Sequence, residues 1–359
     1  MEPLCGDCIR PTLVEALCHA SFEYYKLDIT GSYGYYRVTM DEILHSLKIK
    51  GKCKSVRDYR HFRLYDVELN PGQSIKKLES HVREIGLALR SLSIPTITMI
   101  PENGIVQIQV TTGQASVIPF NELYERSLGS KPDGLMSFLL GERANGSPVW
   151  LDMATNPHML VAGSTGSGKS VFLHTLIANV LKRNDINLYL VDPKQGVEFS
   201  KYNNICNSIV YDYESSVRLL EMLTEEVERR YALFQRLNIK SIQECPNVIS
   251  KVLVIIDEVS DLILQDSNKH FQNLLVKISQ KSRAVGIHMV LATQRPSVDV
   301  LTGLIKANFP ARIAFKVSSA TDSRVILDTV GAENLMNRGD AILNTNKFNM
   351  VRFQSAYSG

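Results

Sequence analysis

The sequence predicts an α/β fold with a mostly parallel sheet, preceded by a small α+β module and a short helical N-terminal segment, and three observations predict it. Over residues 112–359, short apolar and β-branched runs (MLVAG, INLYLVD, NSIVYD, KVLVIIDE, IHMVLAT, ARIAFKV) alternate with helical stretches. Runs that are apolar throughout suit strands covered on both faces, so this part reads as a doubly wound domain. Residues 62–111 show strand-like alternation around one helical stretch, and residues 1–61 show three- and four-residue apolar spacing that ends in a basic strip.

From the N-terminus, TLVEALCHASFEYYKL and MDEILHSLKI have helical spacing. In KIKGKCKSVRDYR, Lys48, Lys50, Lys52, Lys54, Arg57 and Arg60 face the single acid Asp58. This strip fits either a solvated basic linker or a surface that contacts phosphates. FRLYDVEL then reads as a strand, NPGQS as a turn, SIKKLESHVREIGLALRSL as a helix, and TITMIPENGIVQIQV as two strands joined by a Pro/Asn/Gly turn. Together these form a β-α-β-β module that ends near residue 111. In the large domain a helix starts at Ser170, and SSVRLLEMLTEEVERRYALFQRL is a long charged helix. There is no internal repeat and no low-complexity segment.

The chain has 359 residues, of which 44% are hydrophobic, enough for a substantial core. A net charge of +3 gives no global polyanion field, so any nucleic-acid surface must be local. No apolar run reaches 18 residues, and the N-terminus lacks a basic flank followed by an apolar segment, so neither a membrane span nor a signal peptide is expected. Six cysteines in a chain of this length do not make a disulfide framework, and a reducing cytoplasm is the expected compartment. Cys5, Cys8 and Cys18, the last followed by His19, fit either a zinc cluster or ordinary thiols.

Gly163, Ser164, Thr165, Gly166, Ser167, Gly168, Lys169 and Ser170 satisfy G-x-x-x-x-G-K-[ST] between a strand and a helix. Glycines let the backbone curl its N–H groups toward phosphates, Lys169 neutralises the β and γ oxygens, and the Ser170 hydroxyl suits Mg²⁺. The nucleotide-binding run extends to Val171, the next helical residue. KVLVIIDE ends in Asp257, suited to hold Mg²⁺ through water, and Glu258, suited to deprotonate an attacking water. IHMVLATQRP ends in Gln294, a candidate γ-phosphate sensor. The order of phosphate loop, acidic strand and polar strand fits the RecA-like subclass of P-loop ATPases, with ATP and Mg²⁺ as cofactors.

LATQRPSVDVLTGLIKANFPARIAFKVSSATDSRVILDTVGAENL, residues 291–335, resembles the FtsK/SpoIIIE family of DNA translocases. The resemblance extends to NPHMLVAGSTGSGKS, VDPKQGVEFSKY, VERRYALF, KISQKSRAVGIHMVLATQRP, SFLLGERANGSPVWLDMA and YDVELNPGQSIKKLESHVREIGLAL. It implies a homo-hexameric ring that threads double-stranded DNA, independent of sequence, through its channel. By the same resemblance Arg283 is the arginine that reaches the neighbouring subunit's γ-phosphate, and Lys306 and Arg324 are DNA contacts. Ala320 stands where many members carry a lysine, which implies a weaker grip unless another residue substitutes.

Membrane helices and a C-terminal winged helix, known in cell-division members, have no counterpart in this sequence. Residues 1–61 match nothing in the family and suit recruitment by a partner. Transfer, segregation or packaging of a mobile element fits a stand-alone motor. The alternatives are a non-processive ATP-gated scaffold on DNA and a DNA-processing helicase similar to HerA.

Overall fold

The computed structural model describes residues 38–59, 62–100, 103–113, 117–345 and 350–358, and the backbone of 25–27 and 33–35. The chain divides into two compact units, residues 1–114 and 115–359.

In the first unit, β1 (Tyr25–Leu27) pairs antiparallel with β2 (Tyr33–Tyr35). Tyr25–Leu27 closes the first stretch expected to be helical; tyrosine-rich segments favour strand pairing instead. The rest of that stretch, with Cys5, Cys8 and Cys18, lies outside the described residues. The second expected helix is α1 (Met40–Ser46), held by a capping box between Thr39 and Glu42.

Next come β3 (Gly51–Asp58), β4 (Phe62–Leu69), α2 (Ile75–Ser80), α3 (Val82–Ala88), β5 (Thr96–Ile100) and β6 (Ile105–Thr111). The expected single helix is therefore two, separated at His81. The sheet is antiparallel in the order β3-β4-β6-β5. Ile43, Leu44, Val67, Leu78, Ile85 and Ile108 fill its core.

Lys52, Lys54 and Arg57 of the basic strip lie in edge strand β3, which begins the module upstream of residue 62, so this part is neither a linker nor helical; Arg60 lies outside the described residues. Its lysines recur at every second position, which is strand periodicity written in charge, and exposed lysines protect an edge from further pairing. Lys54 pairs with Glu68 at 2.6 Å and Arg57 with Asp66 at 2.6 Å, which neutralises part of the strip.

The second unit contains β7 (Ile118–Pro119), α4 (Phe120–Ser127), β8 (Ser137–Glu142), β9 (Pro148–Asp152), β10 (His158–Ala162), α5 (Lys169–Leu181), β11 (Ile186–Val191) and β12 (Ser208–Val210). It continues through α6 (Tyr213–Leu237), β13 (Lys251–Ile256), α7 (Val259–Gln265), α8 (His270–Lys281), β14 (Ile287–Thr293), α9 (Gly303–Asn308), β15 (Ala311–Phe315), α10 (Ala320–Leu327), β16 (Asp340–Asn344) and β17 (Val351–Tyr357).

Strands β12-β11-β13-β14-β10-β15 are parallel neighbours in that order. Antiparallel β16, β17, β8 and β9 extend the sheet past β15, and β7 pairs with β17. Both faces are covered. Val252, Val254 and Ile256 of β13 pack into one core with α6 and α8, while Leu253 and Ile255 pack into the other with Phe172 and Leu176 of α5. This is why the central strands are apolar along most of their length.

Helix α6 is capped by Asp212, whose side chain accepts the Ser215 N–H, and it buries Leu219, Leu220, Leu223, Val227 and Phe234 along one stripe. Among the described residues no helix is long and apolar enough to cross a membrane. Cys53, Cys206 and Cys245 are free thiols.

Candidate nucleotide site at the carboxyl end of the sheet

Strand β14 lies between β10 and β13. In register, Ala162 of β10 stands beside Thr293, and Ile256 of β13 beside Leu291. The phosphate loop, Asp257–Glu258 and Gln294 therefore leave the sheet at the same end, where ligands bind in open parallel sheets.

The loop of residues 163–170 is tied to both neighbouring strands. Gly163 N–H donates to Thr293 O at 3.2 Å, Ser164 N–H to Lys316 O at 2.8 Å, and Thr165 Oγ1 to Gln294 Oε1 at 2.8 Å. Gly168 has φ +110 and caps α5; a Cβ there would stand 2.5 Å from the Gly339 nitrogen, so the position demands glycine. Gly339 N–H in turn donates to Ser167 O at 2.8 Å, and Arg338 N–H to Gly166 O at 3.4 Å. The buried Asp340–Arg352 pair follows this turn directly and anchors it, at 2.6 Å. The helix begins at Lys169, so the N–H groups of its first turn, to which Ser170 and Val171 belong, have no partner within the helix and suit an anion.

Lys169 Nζ donates to Asp257 Oδ1, and both side chains are buried. Lys194 Nζ stands 3.4 Å from Asp257 Oδ2 and 3.7 Å from Glu258 Oε2. Burial works against the Lys194 ammonium, but Asp257 and Glu258 outweigh it and hold its pKa above the usual lysine value. Glu258 adopts a left-handed backbone (φ 57, ψ 62) at the start of α7. Its carboxylate accepts the Ser260 and Thr293 hydroxyls and the Gln294 N–H. Asp261, one turn on, is raised above the usual carboxylate range by burial and then by Glu258.

Ser170 Oγ donates to Glu198 Oε1 at 3.1 Å. Ser170 and Asp257 supply only oxygen, a donor set that fits Mg²⁺. Among the described residues no group of three or more His, Cys, Asp or Glu is arranged to hold a metal ion alone. An ion shared with phosphates and water needs only one or two such groups from the protein.

These residues converge, and the remaining site residues expected from the sequence lie elsewhere. Arg283 is exposed just before β14, at the opposite end of the sheet, and its Nε donates to Ala154 O at 3.4 Å. A strand length, roughly 20 Å, separates it from its own phosphate loop. Lys306 in α9 is half-buried and donates to Asp328 Oδ1 at 2.5 Å, and Arg312 pairs with the same carboxylate. Arg324 is exposed in the last turn of α10.

The sequence matches the FtsK/SpoIIIE family over residues 121–252 and 246–298. It is 35% identical over 370 residues to the DNA translocase FtsK of Pasteurella multocida, covering 90% of this chain and 40% of that protein. It is 35% identical over 369 residues to the DNA translocase FtsK of Haemophilus influenzae, covering 89% of this chain and 69% of that protein. The chain belongs to the FtsK/SpoIIIE family.

It spans about two fifths of the length of relatives such as the Pasteurella protein. Among solved structures, the pCW3 conjugation coupling protein TcpA, a monomer form with ATPγS, superposes with a TM-score of 0.64 at 23% identity, covering 90% of this chain and 94% of that one. That likeness supports the P-loop ATPase fold.

Lys194 and Glu198 received no role from the sequence, although VDPKQGVEFSKY belongs to the stretch that resembles the family. Their position was the available signal: charged residues just past a parallel strand that neighbours the acidic one reach the end of the sheet where ligands bind.

Proposed function

We propose that this chain is the motor subunit of an ATP-driven double-stranded DNA translocase. The observation that carries the reading is the meeting of Lys169, Asp257, Glu258 and Gln294 at one end of the sheet. Family membership supports the same activity.

In this reading the loop N–H groups and Lys169 bind the triphosphate, and Lys169 exchanges Asp257 for phosphate oxygens. Ser170 and Asp257 hold Mg²⁺, which when bound neutralises phosphate charge. Glu258 orients a water and takes its proton, while Gln294 contacts the γ-phosphate and relays its loss to β14.

Arg283 at the far end of the sheet cannot serve its own loop, and it can serve a neighbour's in a ring. A homo-hexamer around DNA is the arrangement we favour, with Arg324 and Lys306 on the phosphates and no base readout. Lys306 reaches DNA only by giving up Asp328.

Residues 112–359 act as the motor, the module that packs α1 and β3 with β4–β6 precedes it, and the residues before α1 act in recruitment. A cytoplasmic machine for transfer, segregation or packaging of a mobile element fits this organisation. DNA-stimulated ATP hydrolysis measured together with displacement of a triplex-forming strand tests the proposal. Displacement without unwinding supports it, and Lys169→Ala should abolish both. Stimulated hydrolysis with no displacement would favour an ATP-gated switch instead.

A further inference from the structure

We propose that Glu198 is a positioning residue for the metal-binding hydroxyl of Ser170, and so a third acidic position of the nucleotide site. This rests on the nucleotide-site reading above. A hydroxyl that lends its lone pair to a cation turns its hydrogen away, and that hydrogen needs an acceptor. Here the acceptor is Glu198 Oε1, 3.1 Å from Ser170 Oγ. Asp257, the acid on the neighbouring strand, is engaged by Lys169 and Lys194.

Glu198 is fixed by its own loop. The buried Asp192 carboxylate at the end of β11 accepts Glu198 N–H at 2.9 Å and Phe199 N–H at 3.1 Å through one oxygen, and Lys194 N–H at 3.1 Å through the other. Gln195 (φ 58) and Gly196 (φ 87) turn the chain back on itself, and Phe199 is buried beneath.

The second Glu198 oxygen lies 3.8 Å from His174 Nε2, and His174 Nδ1 is paired with the Tyr202 hydroxyl at 3.0 Å. Ser170 and His174 are four residues apart on α5, so they share the face that meets this loop. The carboxylate is thus oriented through Oε1, with its second oxygen beside the His174 ring. It draws the Ser170 hydrogen away from the metal position and adds negative charge behind the hydroxyl. Acids in this relation to a metal ligand govern metal affinity more than nucleotide contact.

The test is a Mg²⁺ titration of the full chain with a fluorescent ADP analogue. Glu198→Gln should raise the Mg²⁺ needed for half-saturation about 10- to 100-fold while leaving metal-free affinity within about twofold. Glu198→Asp, which keeps the charge, should fall between wild type and Glu198→Gln. In the Ser170→Ala background Glu198→Gln should have little further effect, because the two act through one bond.

A Glu198→Gln protein that titrates Mg²⁺ like wild type, or a full additional loss in the Ser170→Ala background, overturns the proposal. If wild type itself bound the analogue with no Mg²⁺ dependence, the nucleotide-site reading would fall and this inference with it.

Discussion

The Glu258 carboxylate receives the backbone N–H of Gln294 at 3.0 Å to each oxygen, so the base expected to activate water is bonded to the strand end expected to sense phosphate. Thr293 Oγ1 adds a third contact from β14, at 2.8 Å to Glu258 Oε1. Movement of this strand end must therefore reorient the base. Glu258→Gln should lower kcat at least about 100-fold with ATP still bound, the usual scale for a lost general base. Thr293→Val keeps size and burial but removes the donor to Glu258 and the acceptor of the Arg295 N–H, and should lower kcat about 5- to 20-fold at nearly constant KM. Thr293→Ser should restore it. Steady-state ATP hydrolysis checks all three, and a Thr293→Ser protein no better than Thr293→Val would refute the role of the hydroxyl.

Lys194 lies between two buried carboxylates that Lys169 alone cannot balance. Lys194→Met should leave Asp257 and Glu258 repelling each other whenever Lys169 moves to phosphate. Hydrolysis should then drop about tenfold or more, with Lys194→Arg retaining a larger share than Lys194→Met. Hydrolysis by the two variants, compared at saturating ATP, decides it. Equal loss in both would mean that shape and not charge is what matters there.

How far the sequence could be read divides along one physical line. Strands β10, β11, β13, β14 and β15 were legible because a strand buried on both faces leaves a dense apolar run. Lys169, Asp257, Glu258 and Gln294 were legible because each is fixed by its spacing from such a strand. The antiparallel extension was not: β8 pairs locally with β9 and β16 with β17, but it is the pairing of β17 with β8, far apart in the chain, that joins these hairpins into one sheet. Glu198 was hidden for the same reason: its bond to Ser170 spans 28 residues and depends on how loop and helix pack. Strand β3 was misread because its period-two signal is carried by lysines, which also suit a linker.

Arg283 makes a prediction that depends on assembly. Facing away from its own loop, it can contribute transition-state charge only to a neighbouring subunit, where such arginines are worth about 10³-fold or more. Mixtures of wild-type and Arg283→Ala chains should therefore lose hydrolysis faster than the mutant fraction rises. A strictly proportional decline across the mixing series would remove the trans role.

The amino-terminal edge of the sheet makes stability depend on pH. His158 and His288 are buried there, with Ser282 Oγ beside His158 Nε2 at 3.3 Å and His288 Nδ1 bonded to Pro157 O at 2.8 Å. Burial, reinforced by the neighbouring His288, pushes His158 down to about 3, and burial pushes His288 down to about 4, both from 6.5. Above pH 6.5 both rings are neutral whether the chain is folded or not, and they add no pH dependence. As pH falls through 6.5 the unfolded chain takes up protons that the folded chain refuses, so stability is lost progressively from there toward pH 4. Each histidine contributes up to about 1.4 kcal/mol per pH unit in that window. His288→Asn keeps a donor for Pro157 O and removes one titrating group, so the drop in unfolding free energy between pH 7 and pH 5 should shrink by about 2 kcal/mol. Urea denaturation at the two pH values measures it, and an unchanged drop would mean that His288 accepts its proton in the folded state.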